Sequence, residues 1–217
     1  MKKESKKIMV IAVHPDDETI GCGGTILKHI DNGDSVRIVF VTSGNEVQKG
    51  KIKSVINNYK STSFSMLNLE EISLENQPLV NIIMPLNKVI NEFRPEILYI
   101  PNRSDVHSDH RTVFRALQAC TKSFRNPFIK KIMMMEVISE TDFSPNLTEN
   151  IFVPNIINDI TQYFEQKEKI LNIYKEELLP GNMTRSISSM KALNRYRGSL
   201  INVKYAESFM LLKEIIC

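Results

Sequence analysis

The first two thirds of the chain alternate short apolar runs with longer amphipathic stretches. Four mostly apolar runs are typical of strands buried on both faces of a sheet: residues 8–13, 36–42, 97–101 and 131–138. Apolar residues recur at helical spacing between these runs, which predicts helices over residues 19–32, 79–93 and 109–122, and another within residues 46–66. The last third is less regular. It indicates one long helix over residues 156–177 and leaves residues 185–216 ambiguous.

The alternation of strands with helices predicts the fold class. Parallel strands need long crossover connections, which helices supply, and strands that are apolar throughout need cover on both faces. We therefore expect an α/β fold with a mostly parallel sheet covered by helices on both faces. The length of 217 residues suits a single domain that spans residues 1–217.

Composition excludes several classes of function. A net charge of +3 gives no reason to expect a nucleic-acid partner, and the basic start of the chain reads as a short solvated tail. No apolar run reaches the roughly 18 residues of a membrane span, so we expect no membrane partner. Three scattered cysteines, Cys22, Cys120 and Cys217, form no disulfide framework or C-x-x-C pair, which predicts a cytoplasmic protein. Homo-oligomerisation stays open.

A first polar cluster follows the first predicted strand directly. His14, Asp16 and Asp17 crowd a loop where ligands bind in open parallel sheets. Burying an imidazole beside several carboxylates is costly unless a cation compensates, and this donor set suits zinc, iron or manganese. His14 and Asp17 can converge on one ion, while Asp16 projects differently and is free to orient water. The alternative is that the acids only cap a helix.

A second polar cluster, His107, Asp109 and His110, follows the strand predicted at residues 97–101. A catalytic zinc needs about three protein ligands, which His14, Asp17 and one of these two histidines would supply. The other histidine is then available for acid chemistry, with Asp109 to fix its tautomer. The alternative is a set of polar residues that cap a helix at Asp109.

Three glycines lie between the first strand and the following helix, as in a dinucleotide-binding fold. The spacing of Gly21, Gly23 and Gly24 is Gly-x-Gly-Gly, however, and three acids precede it where a pyrophosphate would bind. We therefore expect the glycines to let the helix pack closely on the sheet, with Cys22 as a buried packing residue.

The two polar clusters carry a resemblance to a known family. HPDDETIGCGGTI at residues 14–26 and RPEILYIPNRSDVHSDH at residues 94–110 closely resemble the two motifs of the PIG-L (LmbE-like) family of zinc N-deacetylases. YRGSLINVKYAESF at residues 196–209 is a weaker match to the family's C-terminal segment. The resemblance implies a Rossmann-like fold.

The resemblance also implies roles for individual residues. It implies a metal held by His14, Asp17 and His110, with Asp16 as the general base. His107, held by Asp109, corresponds to the family's second active-site histidine.

The function implied by the resemblance is removal of the N-acetyl group from an acetylated amino sugar of the N-acetylglucosamine type. The implied cofactor is Zn²⁺, with Fe²⁺ or Mn²⁺ as alternatives, and the partner is a small-molecule substrate. Two other functions remain open: an inactive metal-dependent sugar-binding module, and a hydrolase of an ester bond. Asp16 and His107 favour an enzyme, because neither is needed merely to hold zinc.

One departure from the family concerns a substrate-contacting arginine in the helix after the second strand. Residues 44–69 contain four lysines and no arginine. Lysine is a poor substitute for a bidentate arginine. We therefore expect the C-terminal segment to line the mouth of the site, where a cluster of Arg185, Arg195, Arg197 and Tyr205 could replace the missing arginine. Arg197 is the residue to test, with Arg103 as the alternative. The other interpretation is that the cluster is a solvated basic face.

Overall fold

A computed structural model describes residues 4–60 and 62–216. Cys217 and the first three residues of the basic start lie outside the described residues. The strands are β1 Lys7–Ala12, β2 Ser35–Thr42, β3 Thr62–Leu69, β4 Ile97–Ile100, β5 Lys131–Met135, β6 Ile156–Asp159 and β7 Ala206–Glu214. The helices are α1 Asp17–Asp31, α2 Glu46–Tyr59, α3 Val80–Phe93, α4 Ser108–Cys120, α5 Phe164–Leu171 and α6 Ile187–Ser199, with three short 3-10 helices between them.

The seven strands form one mixed sheet in the order β3-β2-β1-β4-β5-β7-β6. The first five strands of that order pair in parallel, and β7 pairs antiparallel with both β5 and β6. The predicted α/β fold with a mostly parallel sheet is confirmed. The chain order places β1 beside β4, so the connections that follow these two strands run toward opposite edges of the sheet.

Two apolar cores, one on each face of the sheet, hold the helices in place. Along β1, Ile8, Val10 and Ala12 face the core that α1, α2, α5 and α6 cover, and the residues between them face the core under α3 and α4. All of these β1 side chains are fully buried. A strand buried on both faces needs an apolar residue at every position, which explains why the central strands were recognisable in the sequence.

The two edge strands account for the elements that the sequence pattern misjudged. β3 was not predicted, because residues 62–66 fell within the range given for the helix after β2 and its half-buried residues show no continuous apolar run. The prediction of one helix over residues 156–177 was wrong, since residues 156–159 form β6 and pair with β7. The helix α5 begins only at Phe164. Before it, the backbone N–H of Ile160 still donates a hydrogen bond to the backbone oxygen of Tyr205.

The glycines after β1 pack as expected. A methyl group on Gly24 would lie 2.7 Å from the Ile160 side chain, and one on Gly21 would lie 3.1 Å from Met135. Cys22 between them is fully buried. These close approaches let α1 lie against the sheet and α5. In the part of the chain that the structure describes, no helix has both the length and the apolar character that crossing a membrane requires.

Candidate functional site

The site lies at the carboxyl ends of β1 and β4, where the crossover direction reverses. Ligands bind at this point of open α/β sheets because the diverging loops leave a crevice between them. Residues 14–18 follow β1 and residues 101–110 follow β4, so the fold brings the two polar clusters of the sequence together.

Three side chains of these loops converge through one atom each. His110 Nε2 lies 3.3 Å from Asp17 Oδ2 and 3.3 Å from His14 Nδ1. His14 Nδ1 lies 4.0 Å from Asp17 Oδ2. Asp17 and His110 are buried, and His14 is partly exposed. The ligand set that the resemblance implies is therefore assembled in space.

In each histidine of this group, the ring nitrogen that points away from the other two ligands contacts a carboxylate. His14 Nε2 donates to Asp109 Oδ2 at 3.3 Å, and His110 Nδ1 donates to Asp105 Oδ2 at 2.8 Å. An ionised carboxylate only accepts hydrogen bonds, so these nitrogens carry the protons. The near nitrogens are left with lone pairs directed at each other and at Asp17. Carboxylate-to-histidine contacts of this kind commonly orient metal ligands.

The residues present fit a divalent metal. Two imidazole nitrogens and a carboxylate oxygen in mutual contact repel one another unless a proton or a metal cation lies between them. Zinc binds such atoms at about 2.0–2.2 Å, so in tetrahedral geometry two ligand atoms lie about 3.3–3.6 Å apart. Two of the three separations fall in that range, and the third is slightly longer.

Asp16 stands beside this group in a strained conformation. Its φ of 122° lies in a region that side chains disfavour, and such outliers persist mainly at functional sites. It precedes α1 but makes no side-chain cap, so it is not the simple helix cap of the alternative interpretation. Among the described residues, neither carboxylate oxygen of Asp16 has a hydrogen-bond partner, although both are buried. Burial and then the charge of Asp17 hold the pKa of Asp16 well above its usual range.

His107 lies on the other side of the group, with its ring 4.6 Å from that of His14. It begins α4, and its Nδ1 accepts a hydrogen bond from the backbone N–H of Asp109 at 3.1 Å. The carboxylate of Asp109 is bonded to His14 and to the backbone N–H groups of Ile72 and Leu74. Asp109 thus holds His107 through its main chain, whereas we had expected its carboxylate to do so.

The charges of the group are strongly interdependent. Burial would raise the pKa of Asp17, but His110 and His14 together bring it below its usual range. Burial would lower the pKa of His110, but Asp17 and Asp105 raise it well above the ordinary value. Burial and then the neighbouring rings of His14 and His110 lower the pKa of His107. His107 is therefore shifted toward its neutral form, whereas His110 is shifted toward its protonated form.

A cavity of about 160 Å³ opens over these residues. Its lining includes His14, Asp16 and His107, and around them Gln48, Glu71, Glu177 and Arg185. The guanidinium of Arg185 lies 3.6 Å from Asp16 Oδ2 and donates to Glu140 Oε1 at 2.5 Å. The C-terminal third therefore does line the mouth of the site, through Arg185 of the arginine cluster.

Arg197, the residue we expected at the mouth, lies elsewhere. It donates to both carboxylate oxygens of Glu136 and is absent from the cavity lining. The Ala-Glu-x-Phe segment that it precedes is buried in β7.

One residue of the site escaped the sequence interpretation. Asp105 was overlooked, although it lies five residues before His110 in the same loop, a spacing at which a carboxylate can reach the ring. Arg185 was named only as a member of the C-terminal cluster, because a distant segment with little regular pattern does not show which of its arginines reaches the site.

The family model described as GlcNAc-PI de-N-acetylase, PIG-L, matches residues 9–121, which is just over half of the chain and contains both polar clusters. Among curated proteins, a probable N-acetyl-alpha-D-glucosaminyl L-malate deacetylase 2 from Bacillus cereus is 23% identical over 195 residues. That alignment covers 79% of this chain and 84% of the relative.

Solved structures share the fold at low identity. The N,N'-diacetylchitobiose deacetylase from Pyrococcus horikoshii superposes with a TM-score of 0.74 at 21% identity, covering 97% of this chain and 85% of that one. GalB, the 4-carboxy-2-hydroxymuconate hydratase from Pseudomonas putida KT2440, superposes with a TM-score of 0.73 at 13% identity, covering 98% of each chain. The fold therefore occurs with different chemistries. The match of the family model over both clusters is the more specific finding, and by it the chain belongs to the PIG-L family.

Proposed function

We propose that the protein is a zinc-dependent N-deacetylase that hydrolyses the acetamide of an N-acetylglucosamine-type conjugate. The observation that carries the proposal is the site itself. Three ligand atoms converge within 4.0 Å of one another, and a buried carboxylate without a hydrogen-bond partner lies beside them. Binding a metal does not require a residue such as Asp16, whose backbone is strained and whose buried carboxylate has no hydrogen-bond partner among the described residues.

In this proposal His14, Asp17 and His110 hold the ion. A bound divalent metal would polarise the acetamide carbonyl and increase the acidity of water. Asp16 accepts a proton from the attacking water and orients that water, since within the described part of the chain its carboxylate lines the cavity without a hydrogen-bond partner and only the guanidinium of Arg185 pairs with it, at 3.6 Å.

His107 is placed to act on the oxygen and nitrogen of the substrate. Its Nδ1 accepts the N–H of Asp109, which leaves Nε2 to carry a proton and donate it into the cavity. A donor at that position stabilises the negative charge that develops on the acetamide oxygen. The departing amine takes up the proton that Asp16 accepted from water, either directly from Asp16 or by way of His107 Nε2.

The cavities favour a substrate larger than an isolated acetamide. A second cavity of about 440 Å³ adjoins the first, and the two share Glu71 and Ile72. Its lining includes Lys49, Asn68 and Ser43, which offer hydrogen-bonding groups to a hydroxylated molecule. The relative from B. cereus is named for an N-acetylglucosaminyl substrate, which supports the same class here.

Cys22 and Cys120 are buried free thiols, which supports a cytoplasmic setting.

The test is release of free amine and acetate from N-acetylglucosamine derivatives, with a glycoside and a malate conjugate as substrates. We expect turnover that a chelator abolishes and added Zn²⁺ restores. His110→Ala should lose both the metal and the activity. An O-acetyl ester of the same sugar serves as the competing substrate, and preferential cleavage of the ester would refute amide specificity. Metal binding without turnover of any acetylated sugar would indicate a binding module instead.

A further inference from the structure

The helix α1, which carries Asp17, is broken one turn after it begins. Cys22 has φ −151° and ψ 26°, which are not helical, so α1 consists of two helical parts that meet at a kink. A helix end leaves backbone C=O groups without partners on one side and N–H groups on the other. Because the break is buried, water is not at hand to satisfy them.

A buried ion pair from the C-terminal third satisfies both sides of the break. Lys167 Nζ donates to the backbone oxygen of Ile20, at the end of the first helical part, at 2.9 Å. Glu207 accepts from the backbone N–H groups of Gly24 and Thr25, at the start of the second part, at 2.9 and 2.8 Å. Lys167 and Glu207 are themselves 2.7 Å apart.

The signs of the two charges match the helix ends that they cap. A cation is favourable at the C-terminal end of a helix and an anion at the N-terminal end. Lys167 and Glu207 are at most 2% exposed, and Asn194 holds Lys167 through its side-chain oxygen at 3.2 Å. A buried ion pair often stabilises a fold no better than apolar residues of the same volume. Its role can instead be to specify one geometry of the two helix ends.

The first helical part is the segment that presents the site. It begins at Asp17, directly after Asp16, whose backbone is strained. Its direction is fixed at one end by β1 and at the other by the break at Cys22. We propose that Lys167 and Glu207 are positioning residues, which hold the break so that Asp16 and Asp17 face His14 and His110. The proposal rests on the proposed metal site, but it assigns to these two residues a role that needs no contact with metal or substrate.

The first experiment compares metal affinity at matched stability. The double variant Lys167→Met/Glu207→Gln removes both charges, so neither remains buried alone. Ile90→Ala, a cavity in α3 on the opposite face of the sheet, is the control that lowers stability without touching α1. We expect the double variant to bind Zn²⁺ about 10–100-fold more weakly than the control, the range typical of groups that orient metal ligands. A dissociation constant within threefold of the control's would overturn the proposal.

A second measurement needs neither metal nor activity. Amide hydrogen exchange of the peptide covering residues 14–25 is followed in the metal-free chain. Faster exchange there in the double variant than in Ile90→Ala supports the proposal, and equal exchange contradicts it. If the double variant does not fold, Glu207→Gln alone is measured in the same way, because its single amide oxygen can replace only one of the two carboxylate oxygens that accept from Gly24 and Thr25. Should the unaltered chain bind no metal, the proposed function fails, and hydrogen exchange still decides whether the break is held by the pair.

Discussion

The substitution Asp105→Asn tests the electrostatics of the proposed metal site most directly. Asp105 does not belong to the ligand group. It is fully buried and touches the site only through its 2.8 Å contact with His110 Nδ1. Its other oxygen accepts from Thr141 Oγ1 at 2.8 Å, which fixes its orientation. Asparagine has the same shape, so the substitution changes charge and hydrogen-bonding character while leaving the packing intact.

The expected loss follows from the tautomer of His110. Asp105 as an ionised acceptor requires the ring proton on Nδ1 and leaves the lone pair on Nε2, where Asp17 and His14 converge. An asparagine amide group can instead donate to Nδ1, which would move the proton to Nε2 and block the ligand position. Loss of such a supporting carboxylate commonly costs about 10–100-fold in metal affinity, equivalent to roughly 1.4–2.7 kcal/mol.

Competition with a chromophoric chelator measures the Zn²⁺ affinity of the folded variant. Asp34→Asn is the matched control, because Asp34 contacts His29 Nδ1 at 2.6 Å in the same manner but away from the site. We expect that control to bind Zn²⁺ as the unaltered protein does. Unchanged affinity in Asp105→Asn, or an equal loss in both variants, would show that the carboxylate does not set the tautomer of His110.

Three further predictions concern residues around the metal ligands. Asp16→Asn should keep the metal but lower kcat by about 10²–10⁴-fold, the usual effect of losing a general base, and near-normal turnover of the metal-loaded variant would exclude that role. Burial raises the pKa of Glu18 to about 7, so ionised Glu18 destabilises the folded state as pH rises from about 4.5 through 7. In metal-free protein, Glu18→Gln should therefore raise Tm at pH 8 and change it little at pH 4; an equal effect at both pH values would contradict the shift. Arg185→Ala should lower kcat/KM more than Arg197→Ala does, and steady-state kinetics that rank them the other way would return the substrate contact to Arg197.

The fold was predictable from sequence where burial was complete. β1, β2, β4 and β5 occupy the middle of the sheet, and all four coincide with apolar runs recognised in the sequence. β3 and β6 lie at the two edges and are only partly buried, so their residues show no continuous apolar run. The register of β6 comes from its pairing with β7, about 50 residues later, which a local pattern does not contain.

The candidate ligands were predictable for a different reason. His14 and Asp17 are close in the chain, as are His107 and His110, and each pair follows a recognisable central strand. The expectation that the two pairs meet needed only the rule that parallel strands present their carboxyl ends at one edge. The choice of His110 over His107 as ligand was not derivable in this way and came from the family resemblance.

The groups that support the ligands depend on contacts across most of the chain. Glu207 reaches Gly24 over 183 residues, and Lys167 reaches Ile20 over 147 residues. Their sequence surroundings give no sign of this: Lys167 lies among other charged residues of α5, where a lysine is ordinarily solvated. Lys167 is buried instead and caps a helix end. The glycines of α1 make this possible, because larger residues there would keep α1 and α5 apart. The glycines are thus a local sign of the long-range arrangement, since a methyl group on Gly23 would lie 3.2 Å from the side chain of Lys167.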